Sequence, residues 1–153
     1  MADISQYVTI GVADELFAAP VERVQEILDV CPISKLPRSP ANLLGMIDVR
    51  GEGTPVFDLR ATLGMPPGQD TENTRIVVLF VSDGDAEMRI GLKADRVIEV
   101  TSLDEHELDP PPRMGRSAAA SAIVGIGRRN GQFVTVLDLD HLLADDMETI
   151  KAA

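Results

Sequence analysis

The sequence predicts an all-β fold with short helices, arranged as two small barrel-like subdomains around one shared hydrophobic core. Three observations predict it. Apolar residues come in strand-length runs, many alternating with polar residues, and the runs are cut by Gly, Pro, Asn and Asp. The pattern of the first half then begins again: Gly45, Gly51, Val56, Asp58, Leu59 and Leu63 reappear as Gly125, Gly131, Val136, Asp138, Leu139 and Leu143, each pair 80 positions apart. A segment before them, Glu22-Arg23-Val24-Gln25-Glu26-Ile27, matches Asp95-Arg96-Val97-Ile98-Glu99-Val100 at an offset of 73, so the difference falls in loops. Each unit is too short to bury its own apolar face, so the two pack together. With no Trp and only 3% aromatic residues, that core is built from Val, Ile, Leu and Ala.

The elements follow in order. Residues 6–12 read as a strand with Val8, Ile10 and Val12 on one face and Tyr7, Thr9 and Gly11 on the other. Ala13-Asp14 turns the chain into residues 15–19, Pro20 breaks that run, and 21–29 continues with the half-buried alternation Val24-Gln25-Glu26-Ile27. Pro32, Pro37 and Pro40 punctuate a loop holding a short strand at 33–36. Residues 45–50 and 54–57 form a hairpin across Gly51-Glu52-Gly53, and Asp58 caps a helical turn that ends at Gly64. After a polar Pro/Gly loop at 65–73 come a hairpin of 74–81 with 87–92 and a strand at 96–103. Residues 104–121, with Pro110-Pro111-Pro112, read as a long mobile loop. Strands 122–128 and 132–137 meet across Asn130-Gly131, the strongest two-residue hairpin signal in the chain. Asp138 caps a last helix through about Met147. The whole reads as one domain, with subdomains of about 20–90 and 1–19 plus 91–145 exchanging strands, and a frayed tail at 146–153.

Composition narrows the function. The net charge of −11 repels phosphate backbones and anionic lipid, which argues against nucleic acid as a partner. Residues 1–8 lack the basic segment and apolar run of a signal peptide. The longest apolar run, 76–81, is strand-length, so no membrane insertion is expected. The single cysteine, Cys31, makes no internal disulfide and fits a reducing, cytoplasmic setting.

Few groups point to chemistry. Asp138, Asp140 and His141 offer two carboxylates and an imidazole to a divalent cation, as in a small metal-dependent hydrolase, but Asp138 is equally placed to cap a helix. Gly125, Gly127 and Gly131 lead into a strand instead of a helix, unlike a phosphate loop. Cys31 has no base beside it in sequence, and His106 lies among acids that raise its pKa. Arg113, Arg116, Arg128 and Arg129 concentrate positive charge, which either meets an acidic partner or balances neighbouring acids. No catalytic residue, metal ligand set or cofactor is expected. Arg50 stands apart. It closes a strand ahead of Gly51, and Glu26 in a neighbouring run is a candidate for a forked pair that either locks two strands or faces a partner.

Val24-Gln25-Glu26-Ile27, then Gly45-Met46-Ile47-Asp48-Val49-Arg50-Gly51, then Pro55-Val56-Phe57-Asp58-Leu59-Arg60 resemble the CheW family of chemotaxis coupling proteins. The likeness continues through 94–100 and Gly125-Ile126-Gly127 to Val136-Leu137-Asp138-Leu139-Asp140. It implies two five-stranded SH3-like β-barrel subdomains. It also implies an adaptor that joins a methyl-accepting chemoreceptor signalling tip to the regulatory domain of a CheA-type histidine kinase, either in chemotaxis or in another chemosensory array such as one governing pili or development. By position, Val24, Glu26, Ile27, Arg50, Gly51 and Val97 would meet the receptor helix, and Ile33, Leu36, Met46 and Ile47 would form a barrel edge for the kinase. Asp48 departs from the family's usual Asn, and Glu52-Gly53-Thr54 is more polar than usual.

Overall fold

The computed structural model describes residues 6–84, 86–105, 107–111 and 122–147. Ten strands form: β1 (Tyr7–Val12), β2 (Glu15–Pro20), β3 (Val24–Asp29), β4 (Leu43–Val49), β5 (Glu52–Asp58), β6 (Arg75–Asp83), β7 (Ala86–Ala94), β8 (Arg96–Thr101), β9 (Ile123–Arg129) and β10 (Gln132–Leu137). A 3₁₀ turn at Val21–Arg23 leads into β3, and short helices α1 (Leu59–Thr62) and α2 (Leu139–Leu142) follow β5 and β10. Each helix is started by the predicted cap: Asp58 accepts from the Arg60 N–H and Asp138 from the His141 N–H, both at 3.2 Å.

The strands make two five-stranded sheets, β3-β6-β7-β5-β4 and β8-β1-β2-β10-β9. Read in those orders the two are the same sheet built twice. Both carry one parallel pair at the same place, β7 with β5 and β2 with β10. The second sheet takes its middle hairpin from the start of the chain. Neither sheet is closed by hydrogen bonds among the described residues, so each is an open SH3-like barrel with two edge strands.

Burial explains the apolar runs. In β6, Ile76 and Val78 point into the first barrel with Ile47, Val49 and Val56, whereas Val77, Leu79 and Val81 point to the other side. There they join Val8, Ile10, Val12, Phe57, Leu92, Leu137 and Leu143 in a core shared by the two sheets. The second barrel is filled by Ala18, Leu103, Val134 and Val136. A strand covered on both faces loses the alternating pattern, which is why 76–81 is continuously apolar. The same holds for β1: the expected polar face is also covered, with Thr9 buried and its hydroxyl donating to the Glu99 carbonyl at 3.0 Å. Each such buried Val, Leu or Ile contributes about 1.5–3 kcal/mol.

Three expectations are corrected. The strand at 33–36 is a single bridge, Ser34 with Met46, because Pro32 and Pro37 leave little backbone between them to pair. The first hairpin turns at Arg50-Gly51, with Glu52 and Gly53 already in β5 opposite Val49 and Asp48. The last helix is interrupted at Leu143 before resuming at 144–147. Of the expected 104–121 loop, Asp109 bridges to Ile126, whereas His106 and residues 112–121 lie outside the described residues, as does the tail at 148–153. Among the described residues no helix is long and apolar enough to cross a membrane.

Candidate functional site

The site begins with a turn. Arg50 and Gly51 have φ of 53° and 84°, the mirror-image two-residue turn that matches the twist of a hairpin. Their repeat counterparts, Asn130 and Gly131, have φ of 53° and 80°. Asn tolerates that left-handed region, whereas Arg is held there at a cost of about 1 kcal/mol or more. Gly51 is there for its φ, since nothing stands within 4 Å of where a Cβ would project. Asp48 Oδ1 accepts the Gly51 N–H at 2.8 Å, which gives the acidic departure at 48 a local role in bracing the turn.

From that turn the Arg50 Nε donates to Glu26 Oε2 at 2.9 Å, as the sequence suggested. Glu26 lies on β3 and the turn follows β4, the two opposite edges of one sheet. The pair therefore spans the seam that backbone hydrogen bonds leave open. The second sheet does the same: Arg129 at the end of β9 donates to Glu99 of β8 at 2.8 Å, and Glu99 is the repeat counterpart of Glu26. Arg50 remains 70% exposed while Glu26 is 24% exposed, so the guanidinium is presented to solvent on an anchored carboxylate.

The other expected receptor-facing apolar residues lie on the edge strands β3 and β8. Val24 and Val97, on the edge strands of opposite sheets, are half-buried against the shared core, and Ile27 is exposed. Of the expected kinase-facing residues, Leu36 is exposed, Met46 is half-buried beside its bridge to Ser34, and Ile33 is half-buried against the first barrel. Ile47 is only 5% exposed and packs inside that barrel, so it supports the edge from beneath instead of lining it.

The candidates for chemistry resolve otherwise. Asp138 Oδ2 meets His141 Nδ1 at 2.7 Å, but Asp140 turns away to Arg23 and the Ser82 N–H, so the three side chains do not converge. Among the described residues no three His, Cys, Asp or Glu stand together as a metal set. Gly125 and Gly127 make room for Leu108 and Leu103, and Cys31 packs against the first barrel. Arg128 lies over the Phe133 ring at 5.0 Å, whereas Arg113 and Arg116 lie outside the described residues.

Sequence reasoning missed two forked pairs between the halves. Arg60 of α1 donates from Nε and Nη2 to Asp95, just before β8, with the Nε bond at 2.9 Å. Asp95 also accepts the Ala13 N–H at 2.7 Å. Arg23, just before β3, donates to both carboxylate oxygens of Asp140 on α2 at 3.3 and 3.0 Å. The available signal was the change from Arg60 to Asp140 at otherwise matching repeat positions.

The Arg60 guanidinium, and then the Ala13 N–H, hold the Asp95 carboxyl below the usual range against the opposing effect of burial. A carboxylate that is more acidic folded than unfolded stabilises fully above its unfolded pKa of about 4 and loses that contribution as pH falls through the folded value. Asp95→Asn is therefore expected to cost about 1–2 kcal/mol at neutral pH, since both partners are part-exposed. It should also flatten the fall in stability below about pH 4. Urea midpoints measured from neutral to acid pH check this, and an acid slope equal to that of the wild type would count against it.

Comparison with known proteins agrees with this geometry. The CheW-like domain family matches residues 6–147. The chain is 27% identical over 144 residues to the chemotaxis protein CheW of Helicobacter pylori, covering 94% of this chain and 84% of that one. It is 30% identical over 134 residues to Protein FrzA of Myxococcus xanthus, covering 86% and 81%. Its fold superposes on the crystal structure of the scaffolding protein TtCheW from Thermoanaerobacter tengcongensis with a TM-score of 0.81 at 25% identity, covering 94% and 90%. The match over residues 6–147, with twin open barrels around a shared core, shows that this chain belongs to the CheW-like domain family.

Proposed function

We propose that this chain is a cytoplasmic adaptor that couples chemoreceptor signalling tips to the regulatory domain of a CheA-type histidine kinase at membrane receptor arrays. The observation that carries this reading is Arg50, exposed and held in an unfavourable backbone conformation over Glu26 of β3, the edge strand that also carries Val24 and the exposed Ile27. A strained, exposed residue on a rigid sheet is the pattern of a binding site. An amphipathic receptor helix lays its apolar face on Val24, Ile27 and Val97, and the Arg50 guanidinium meets a carboxylate or carbonyl of that helix.

The kinase domain takes the other edge. β4 pairs with β5 on one side, and on its outer side, among the described residues, its one backbone bridge is to Ser34. An edge strand with unpaired N–H and C=O groups is a template for strand pairing, and Leu36, Met46 and Ile33 supply its apolar contacts. No bond is made or broken in this role, and no cofactor takes part. The adaptor holds its partners in fixed geometry and raises their effective concentration for each other.

Titration of the purified chain against a receptor-tip fragment and against the kinase regulatory domain, each alone, tests the reading. Saturable one-to-one binding of each is expected, and absence of binding to both would overturn it. The likeness to Protein FrzA, at least as high in identity as to the CheW proteins named for chemotaxis, favours a second setting for the same chemistry, an array that serves another behaviour.

A further inference from the structure

The two forked pairs between the halves are related by the internal repeat. Arg60 and Asp140 occupy matching places on α1 and α2, 80 positions apart. Their partners, Asp95 and Arg23, immediately precede the strands β8 and β3. One bridge thus ties the helix of the first half to the head of β8, and the other ties the helix of the second half to the head of β3. The sign is reversed between them: the helix carries the cation in one and the anion in the other. The helix ends of the two bridges match at the offset of 80, whereas at the offset of 73 the counterpart of Arg23 is Arg96 and that of Asp95 is Glu22, so each half ties its helix to a strand head with a pair of its own.

The forks supply what the core lacks. Apolar burial between the sheets is strong but non-directional, so it does not by itself fix how the two barrels are turned against each other. A bidentate guanidinium–carboxylate pair does fix an orientation. Each bridge is further anchored to backbone: Asp95 by the Ala13 N–H, Arg60 by donation to the Pro66 carbonyl at 3.0 Å, Asp140 by the Ser82 N–H at 2.7 Å. Asn42 adds a single hydrogen bond across the halves, to Asp146 at 3.0 Å. Gly68 leaves room for the Arg60 guanidinium, which a Cβ there would meet at 2.5 Å from Cζ.

We propose that Arg60–Asp95 and Arg23–Asp140 are positioning residues that set the spacing of β3 and β8, and with it the receptor-helix surface between Val24 and Val97. This rests on the reading of those strands as the receptor-facing surface. β3 and β8 are edge strands, each held by one neighbour only, so their heads are free to shift once a bridge is cut. Neither bridge includes a residue of β4, whose pairing with β5 and bridge to Ser34 do not depend on them, so the kinase-facing edge is left as it was.

The test uses the full chain carrying Cys31→Ser, Asp29→Cys and Ile98→Cys, spin-labelled on the exposed faces of β3 and β8, with and without Arg60→Ala plus Arg23→Ala. The inter-label distance distribution should be narrow with intact bridges and about twofold broader without them. In unlabelled chains the double variant should lose about tenfold in affinity for the receptor-tip fragment while keeping kinase-domain affinity within about twofold. Arg60→Lys, which retains the charge but not the fork, should fall between. If the double variant does not melt cooperatively, Arg60→Lys alone carries the same two comparisons. An unchanged distance distribution, or equal losses for both partners, overturns the proposal. A wild-type chain that fails to bind the receptor tip while the labels still report broadening overturns the functional reading and leaves the bracing intact.

Discussion

Gly45→Ala is expected to lower stability by about 3–5 kcal/mol. Gly45 sits at φ of 145°, a region closed to side chains at a cost of about 1–3 kcal/mol. An added Cβ would land on the carbonyl oxygen of Ser34, which accepts the Met46 N–H at 2.7 Å while the Ser34 N–H donates to the Met46 carbonyl at 2.9 Å. Relieving that clash pushes the 33–36 segment off β4 and gives up both bonds, each contributing about 1 kcal/mol, together with the packing of Ile33. Gly53→Ala is the control: its Cβ meets only the flexible end of Met46 at 3.2 Å, and a change under about 1 kcal/mol is expected. Denaturant unfolding of the two variants checks the pair, and equal midpoints for both would contradict the account of the repeated glycine.

Arg50→Asn is expected to separate stability from assembly. Asn is what the second half carries at the same place, and it adopts the left-handed conformation readily. Relief of backbone strain offsets the loss of an exposed ion pair that contributes at most about 1 kcal/mol, so stability should be unchanged or raised by up to about 1 kcal/mol. Binding behaves differently. An exposed Arg anchored on a carboxylate in a binding surface is the residue type whose loss costs about 2 kcal/mol or more, or roughly thirtyfold in receptor-tip affinity. Calorimetric titration and thermal melting of one preparation measure both. A variant less stable than wild type but equal in affinity would assign Arg50 to the fold alone.

What was legible in the sequence was what depends on local pattern. Asn130-Gly131 announced its hairpin because those residues favour positive φ, and the Gly45 and Gly125 match announced the duplication because close approach of a capping segment requires a residue without a side chain. Glu26 and Arg50 could be paired since Arg50 closes one strand-like run of the unit and Glu26 lies in a neighbouring one. The equivalent turn at Arg50-Gly51 was masked because Arg is not a turn former and Gly53 offers a second glycine nearby. Ile47 lies on the edge strand β4 but turns its side chain into the barrel, because alternation alone does not say which face a strand turns inward. Arg23 and Asp140, 117 positions apart, were beyond local reasoning. Their contact follows from how two finished barrels dock, and Asp140 read by itself resembled a metal ligand.

The most direct measurement is the mass of the complex formed when the wild-type chain, the receptor-tip fragment and the kinase regulatory domain are mixed, followed by analytical ultracentrifugation at several ratios. Separate surfaces at the β3–β8 side and on the β4 edge require one assembly holding all three components, with the receptor fragment joining the kinase domain only when the adaptor is present. Mutual displacement of the two partners from the chain would mean that they share one surface, and the two-edge account would fail.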